Sequence, residues 1–246
     1  MDKRAVLEII ATDAADARAA EAGGADRIEL VCAMSEGGLT PSVGLMEGVV
    51  ASVSIPVYVM IRPHSRSFRY GADDLRAMSR DIRAAREAGA AGIVVGALTE
   101  GGEADVELLR RWAHEATTGG LGVTFHRAID ASADAFRCLE AVAGVPGVER
   151  VLTSGGARTA SEAAEVLERL RAVGAERGVA VMAGSGLTPA NLREFVLRTG
   201  IPEVHLGSAV RQGGSFGGSV DPQLVSLAKR ELLAAVETRR TAGRDE

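Results

Sequence analysis

Disulfides, membrane spans, aromatic platforms and an excess of positive charge are all missing from this sequence, and each absence removes a class of protein. The 246 residues include two cysteines, Cys32 and Cys138, too few for a disulfide framework. No apolar run approaches the ~18 residues that a membrane span needs. Met1–Arg4 leads straight into a strand-like segment, not into a signal peptide. The cytoplasm is the expected location, and no membrane is expected as partner. Lys and Arg number 28 against 33 Asp and Glu, a net charge of −5, which leaves no electrostatic footprint for nucleic acid. Aromatics at 3% are too scarce for base-stacking or carbohydrate-stacking surfaces. What remains is ordinary: 46% hydrophobic and 25% charged residues are the proportions of a folded α/β protein and exclude disorder.

Eight short runs read as buried strands: Val6–Ala11, Arg27–Cys32, Val57–Arg62, Gly92–Ala97, Gly122–Ala128, Arg150–Gly155, Val179–Gly184 and Glu203–Ser208. Their nearly continuous Val, Ile, Leu and Met content suits parallel strands covered on both faces. Helical periodicity fills the gaps. Val166, Leu167, Leu170 and Val173 make one stripe, and Val106, Leu108, Leu109 and Trp112 make another. Thr40-Pro41, Thr188-Pro189 and Asp221-Pro222 predict helix starts; Gly23-Gly24, Gly89, Gly174 and Gly200 predict helix ends. Strand centres recur every 21 to 35 residues. Eight such repeats predict an α/β fold built as a single (β/α)8 TIM barrel. The glycine-rich dinucleotide turn of a doubly wound sheet is absent after the first strand, where Ala11-Thr12-Asp13-Ala14 stands. No linker divides the chain, so residues 1–246 read as one domain. Its core spans 5–211, followed by a flexible loop 212–219, a C-terminal helix 222–239 and a disordered tail 241–246.

Charged residues inside the strands are the unusual feature. Side chains alternate faces along a strand, so with Leu7 and Ile9 turned toward the helices, Glu8 points into the barrel. The same reasoning turns Glu29 and His205 inward, and places Arg62 and His126 at strand ends near the mouth, where barrel chemistry sits. A lone buried charge costs several kcal/mol, so these groups should satisfy one another. One reading is a structural network, Glu8 and Glu29 against Arg62, with the histidines as hydrogen-bonded filler. The other is a binding or catalytic pocket. In the second, Glu29 or His126 serves as acid or base and Arg62 grips an anion. Gly184, Gly186, Gly207 and Ser208, after the seventh and eighth strands, offer backbone N–H donors as an anion cradle. Ser154 and Gly155, after the sixth strand, offer a similar turn. His64 and Arg66 lie in a loop near the mouth; His114 and Cys138 read as packing or surface residues, and Met34, Met60 and Met182 as core fillers.

These residues fall within recognisable motifs: ADRIEL from Ala25, SEGGLTPSVG from Ser35, IPVYVMIRP from Ile55, GALTEGG from Gly96, VTFHRAID from Val123 and RVLTSGG from Arg150. In order, they resemble the CutC family, described as copper homeostasis proteins. The resemblance implies a TIM barrel, a cytoplasmic homo-oligomer, copper as the bound metal, and Glu8, Glu29, Arg62, His126, Arg127, Asp130 and His205 as the retained site set. It also implies Cu(I) cysteines in the first two strands, but Ile10 and Val31 stand at those positions and Cys32 comes one residue late. A one-residue shift turns a side chain to the opposite face. Cys32, His126 and His205 are the remaining candidates for metal. Three functions are therefore expected to compete: copper handling, acid–base catalysis on a small anionic, sugar-like or phosphorylated substrate, and ligand binding without catalysis.

Overall fold

The computed structural model describes residues 5–242. Eight parallel strands form a closed barrel in sequence order: β1 (Val6–Ala11), β2 (Arg27–Leu30), β3 (Val57–Met60), β4 (Gly92–Val95), β5 (Gly122–Phe125), β6 (Val148–Thr153), β7 (Ala180–Gly184) and β8 (Glu203–Leu206), with β8 pairing back on β1. Around them lie α1 (Ala14–Ala22), α2 (Val43–Val50), α3 (Ala72–Glu87), α4 (Val106–Thr118), α5 (Ala135–Ala143), α6 (Ala164–Arg177), α7 (Leu192–Thr199) and α8 (Pro222–Ala242). The TIM barrel expected from the strand spacing is the fold observed. Among the described residues, no helix is long and apolar enough to cross a membrane.

The alternation along each strand builds two separate apolar regions. Outward side chains such as Leu7, Ile9, Ile28, Leu30, Val59, Ile93, Phe125 and Val204 are fully buried between sheet and helices. At roughly 1.5–3 kcal/mol for each large aliphatic or aromatic side chain, this layer drives closure of the cylinder. A second, smaller cluster of Ile10, Val31, Tyr58, Met60 and Val94 lies inside the barrel.

Several expected boundaries move. Six strands end up to three residues early because their last residues bend into the mouth loops. Pro41 precedes the helix instead of opening it: α2 starts at Val43, capped by the Ser42 hydroxyl, which accepts from the Leu45 N–H at 3.3 Å. Thr40 instead accepts from the Arg62 N–H at 2.8 Å, tying the second loop to the third. Similarly, α7 starts at Leu192 after a reciprocal cap, in which the Thr188 N–H donates to Asn191 Oδ1 (2.8 Å) and the Asn191 N–H donates to the Thr188 hydroxyl (3.3 Å). Gly174 does not end α6. It lies within the helix where a Cβ would approach the Val179 carbonyl to 2.8 Å, and left-handed Gly178 (φ +77°) ends it. The last helix continues to Ala242, past the expected end at 239; residues 243–246 of the expected tail lie outside the described residues. In loop 212–219 the Gln212 N–H donates to the Ser219 carbonyl at 2.9 Å, and Phe216 approaches Gly207 and Ile10 at the mouth.

Candidate functional site

The inward residues form layers. Nearest the amino ends of the strands is a charge network that the sequence reading left out. Arg27 pairs through Nε with Glu8 Oε2 and through Nη2 with Glu203 Oε2 (3.3 Å). Arg150 pairs with the same Glu203 oxygen (3.3 Å) and with Glu149 (3.0 Å). Both guanidinium groups stack on the Tyr58 ring, at 5.3 and 4.9 Å from its centroid, and the Tyr58 hydroxyl donates to Glu149 at 2.7 Å. The expected pairing of Glu8 and Glu29 against Arg62 is therefore not what forms. Arg27 was legible: it stands two residues before Glu29, just as Glu203 stands two before His205, so one alternation turns both pairs inward.

Above this layer, Glu8, fully buried, accepts from or shares a proton with His205 Nδ1 at 2.7 Å. Burial would raise the Glu8 carboxyl, but the Arg27 charge and the His205 contact overcome it and hold the group far below the usual carboxylate range. His205 is raised: burial opposes its charge, but Glu29 and Glu8 more than offset that. Its Nε2 lies 3.8 Å from Glu29 Oε2. Glu29 is 3% exposed, and its Oε1 has no hydrogen-bond partner. Burial, with the Glu8 charge against the relief from His205, pushes its carboxyl up to about 7. One buried carboxylate is thus locked and ionised, and the other is poised near neutrality.

On β5's side of the mouth, His126 caps a short 3-10 turn at Arg127–Ala131, where Nδ1 accepts from the Ala128 N–H at 3.2 Å. Its Nε2 is buried and unpartnered. Burial, and then the Arg62 charge, depress this imidazole to about 3. The ring is therefore neutral, and with Nδ1 accepting, the proton belongs on Nε2. Arg62 is 8% exposed and stacks over Phe68 at 4.8 Å. Its hydrogen bonds run to the backbone carbonyls of Glu36, Gly37, Gly38 and Ser65 at 3.3–3.5 Å, and it also acts on the Tyr70 hydroxyl. Among the described residues no carboxylate pairs with it, and Nε has no partner. Phe68 also contacts His126, with ring centroids 5.1 Å apart.

Glu29, Arg62, His126 and His205 all open onto one cavity of about 600 Å³, whose rim includes Gly186, Gly207, Ser208 and Phe216. Of the other expected residues, Arg127 and Asp130 also border the cavity, whereas Ser154, Gly155 and Gly184 do not line it. Asp130 borders the cavity, but its oxygens already accept from the Thr153 hydroxyl (2.5 Å), the Ser154 N–H and hydroxyl (3.0 Å each), the Gly156 N–H (3.2 Å) and Arg127 Nε (2.7 Å). It clamps the β6 loop. Arg127 also donates to Ser154 at 2.9 Å, and Gly155 packs against Ala163 and Leu167. Gly184 packs against Leu152 within its strand. His64 lies 3.4 Å from Asp74 and Arg66 is solvent-exposed beside it. His114 is exposed and Cys138 buried. Ser185 takes the left-handed conformation (φ +77°) beside Gly186 on the rim.

Metal ligation fares poorly. Glu8, Glu29 and His205 each offer an atom within 4.8 Å of the others, yet both Glu8 oxygens are engaged, one by Arg27 and one by His205. Cu(I) selects thiolate or thioether ligands. Cys32 donates to the Thr40 carbonyl at 3.0 Å, and burial raises its thiol. Ile10 and Val31 face the cavity where thiols would be needed. The donor set does not fit a thiolate copper centre.

The CutC family model matches residues 5–210. A family protein CutC from Rhizobium meliloti is 44% identical over 238 residues, covering 97% of this chain and 91% of the relative. One from Caulobacter vibrioides is 46% identical over 217 residues, covering 88% and 83%. A solved structure from Streptococcus agalactiae, described as a candidate copper homeostasis protein CutC, superposes with a TM-score of 0.76 at 27% identity, over 82% of this chain and 98% of that one. A phosphoribosylanthranilate isomerase from Pyrococcus furiosus superposes at 0.64 with 17% identity, covering 94% and 100%, a likeness of fold alone. The barrel with its inward acids and imidazoles, and the sequence match from residue 5 to residue 210, together mean that this chain belongs to the CutC family.

Proposed function

We propose that the protein acts in copper homeostasis, the role in the description of its Streptococcus agalactiae relative, through a small anionic ligand held at the barrel mouth and not through thiolate-bound copper. The observation that carries this reading is Arg62: a buried guanidinium with no acidic partner among the described residues and an unpartnered Nε, lining a cavity of small-metabolite size. A buried unpaired charge costs several kcal/mol, and an anion entering the cavity recovers that cost. The backbone around Gly186, Gly207 and Ser208 supplies the opposite rim. The same reading takes the protein to be cytoplasmic and homo-oligomeric, as the family resemblance implies.

Thermal unfolding with inorganic phosphate tests the ligand. Wild type should be stabilised increasingly, and logarithmically, as phosphate is raised above its dissociation constant, and Arg62→Gln and Arg62→Lys should respond less; no stabilisation of wild type refutes the reading. Titration with Cu(I) should give the same affinity for wild type and Cys32→Ser, whereas a tenfold loss in the variant would restore the thiol as a ligand.

A further inference from the structure

We propose that this cavity is a proton-transfer active site, in which Glu29 removes a hydrogen α to the carbonyl of a small anionic carbonyl compound and His126 stabilises the resulting enolate. The inference deepens the anion-binding reading and rests on it.

Three buried polar atoms in the cavity walls have no partner: Glu29 Oε1, His126 Nε2 and Arg62 Nε. Protein interiors rarely leave such atoms unsatisfied; His64 Nδ1 and Arg211 Nε are also without a partner elsewhere, but the three in these walls belong to residues that line one cavity. Their chemistry differs in a useful way. Glu29 can accept a proton; His126, with Nδ1 tied to the Ala128 N–H, can only donate from Nε2; Arg62 carries a fixed positive charge. Their placement is equally specific. Glu29 is on β2 and His126 follows β5, three strands round a closed barrel of eight, so base and donor face one another across the cavity. Arg62 and His126 flank the same Phe68 ring, 4.8 and 5.1 Å from it. A ligand whose anionic group lies close to its carbonyl can therefore reach both.

The step balances without a co-reactant. Glu29 takes the α-proton, the C–H electron pair becomes the C=C bond, and the carbonyl π pair moves onto oxygen, where the His126 Nε2–H donates to it. Returning a proton from Glu29 to the same carbon, after exchange with solvent, completes the cycle. A carboxyl raised toward neutrality is matched to such a cycle, and a neutral imidazole donor facing developing oxyanion charge is the preorganised partner it needs. His205, held by Glu8, keeps Glu29 in place.

The test uses hydroxypyruvate and dihydroxyacetone phosphate in D2O, with loss of the α-proton signals followed by NMR, so that carboxylate and phosphate anions are distinguished. Wild type should exchange at least one probe at ten or more times the buffer rate. Glu29→Gln, whose fold is checked by thermal unfolding, should return to the buffer rate, and His126→Gln should fall by up to roughly 10²-fold, with the buffer rate as its floor. If a probe stabilises wild type through Arg62 yet neither exchanges, or if Glu29→Gln still exchanges, proton transfer is refuted and ligand binding stands. If neither probe stabilises wild type or exchanges, both readings fall.

Discussion

Replacing Arg27 by methionine isolates what the interior charge network contributes. Glu8 is fully buried, and among the described residues Arg27 is its one cationic partner of permanent charge, the other contact being His205. Glu203 would keep Arg150 at 3.3 Å, so the loss falls on Glu8. Breaking a buried pair from one side costs about 3–5 kcal/mol, against a total stability on the order of 5–15 kcal/mol. The variant should therefore unfold at markedly lower denaturant at pH 7, with an unchanged slope. Two controls separate charge from packing. Adding Glu8→Gln to Arg27→Met removes the stranded carboxylate and should recover about 2 kcal/mol. Acidification should shrink the penalty as well: Arg27 helps hold the Glu8 carboxyl far below its ordinary value, so wild type loses that stability as pH falls below the unfolded value, and the variant, whose carboxyl is held down less, loses less. A loss below about 1 kcal/mol at pH 7, or a penalty that grows on acidification, would refute the reasoning.

His126 and Glu29 should oppose one another in the pH dependence of stability. His126, depressed to about 3 from 6.5, contributes stability that is present above pH 6.5 and lost as pH falls, whereas Glu29, raised from 4.5 to about 7, contributes stability that is lost as pH rises through that range. Relative to wild type, Glu29→Gln should gain stability with rising pH between about 4.5 and 6.5, and His126→Asn should lose it, each by about 1.4 kcal/mol per pH unit; parallel denaturation series for the three proteins check both signs. Gly96→Ala places a Cβ 2.4 Å from His126 Nδ1, and the overpacking should cost about 1–3 kcal/mol and shift the imidazole resonances. Ser185→Gly relieves a left-handed φ of +77° and should raise stability by about 1 kcal/mol, less whatever its 2.8 Å hydrogen bond to the Arg158 carbonyl contributes; chemical denaturation measures the net.

The barrel was written in the sequence because its cause is local and periodic: apolar runs at strand length, helical stripes between them, and glycine or capping residues at the joints. Alternation alone also turned Glu8, Glu29 and His205 inward, since side-chain direction along a strand needs no knowledge of its neighbours. What each of those groups meets depends on which strands close against one another and in what register. Glu8 lies level with Arg27 on one side and His205 on the other, an adjacency that joins residues 197 positions apart. That register, and not residue type, decided that Arg27 neutralises Glu8, that Asp130 is spent on the β6 loop, and that Arg62, His126 and Glu29, each with an unpartnered atom, line one cavity. Electrostatic pairing is set by distances of a few ångströms between distant segments, and only the closed barrel fixes those.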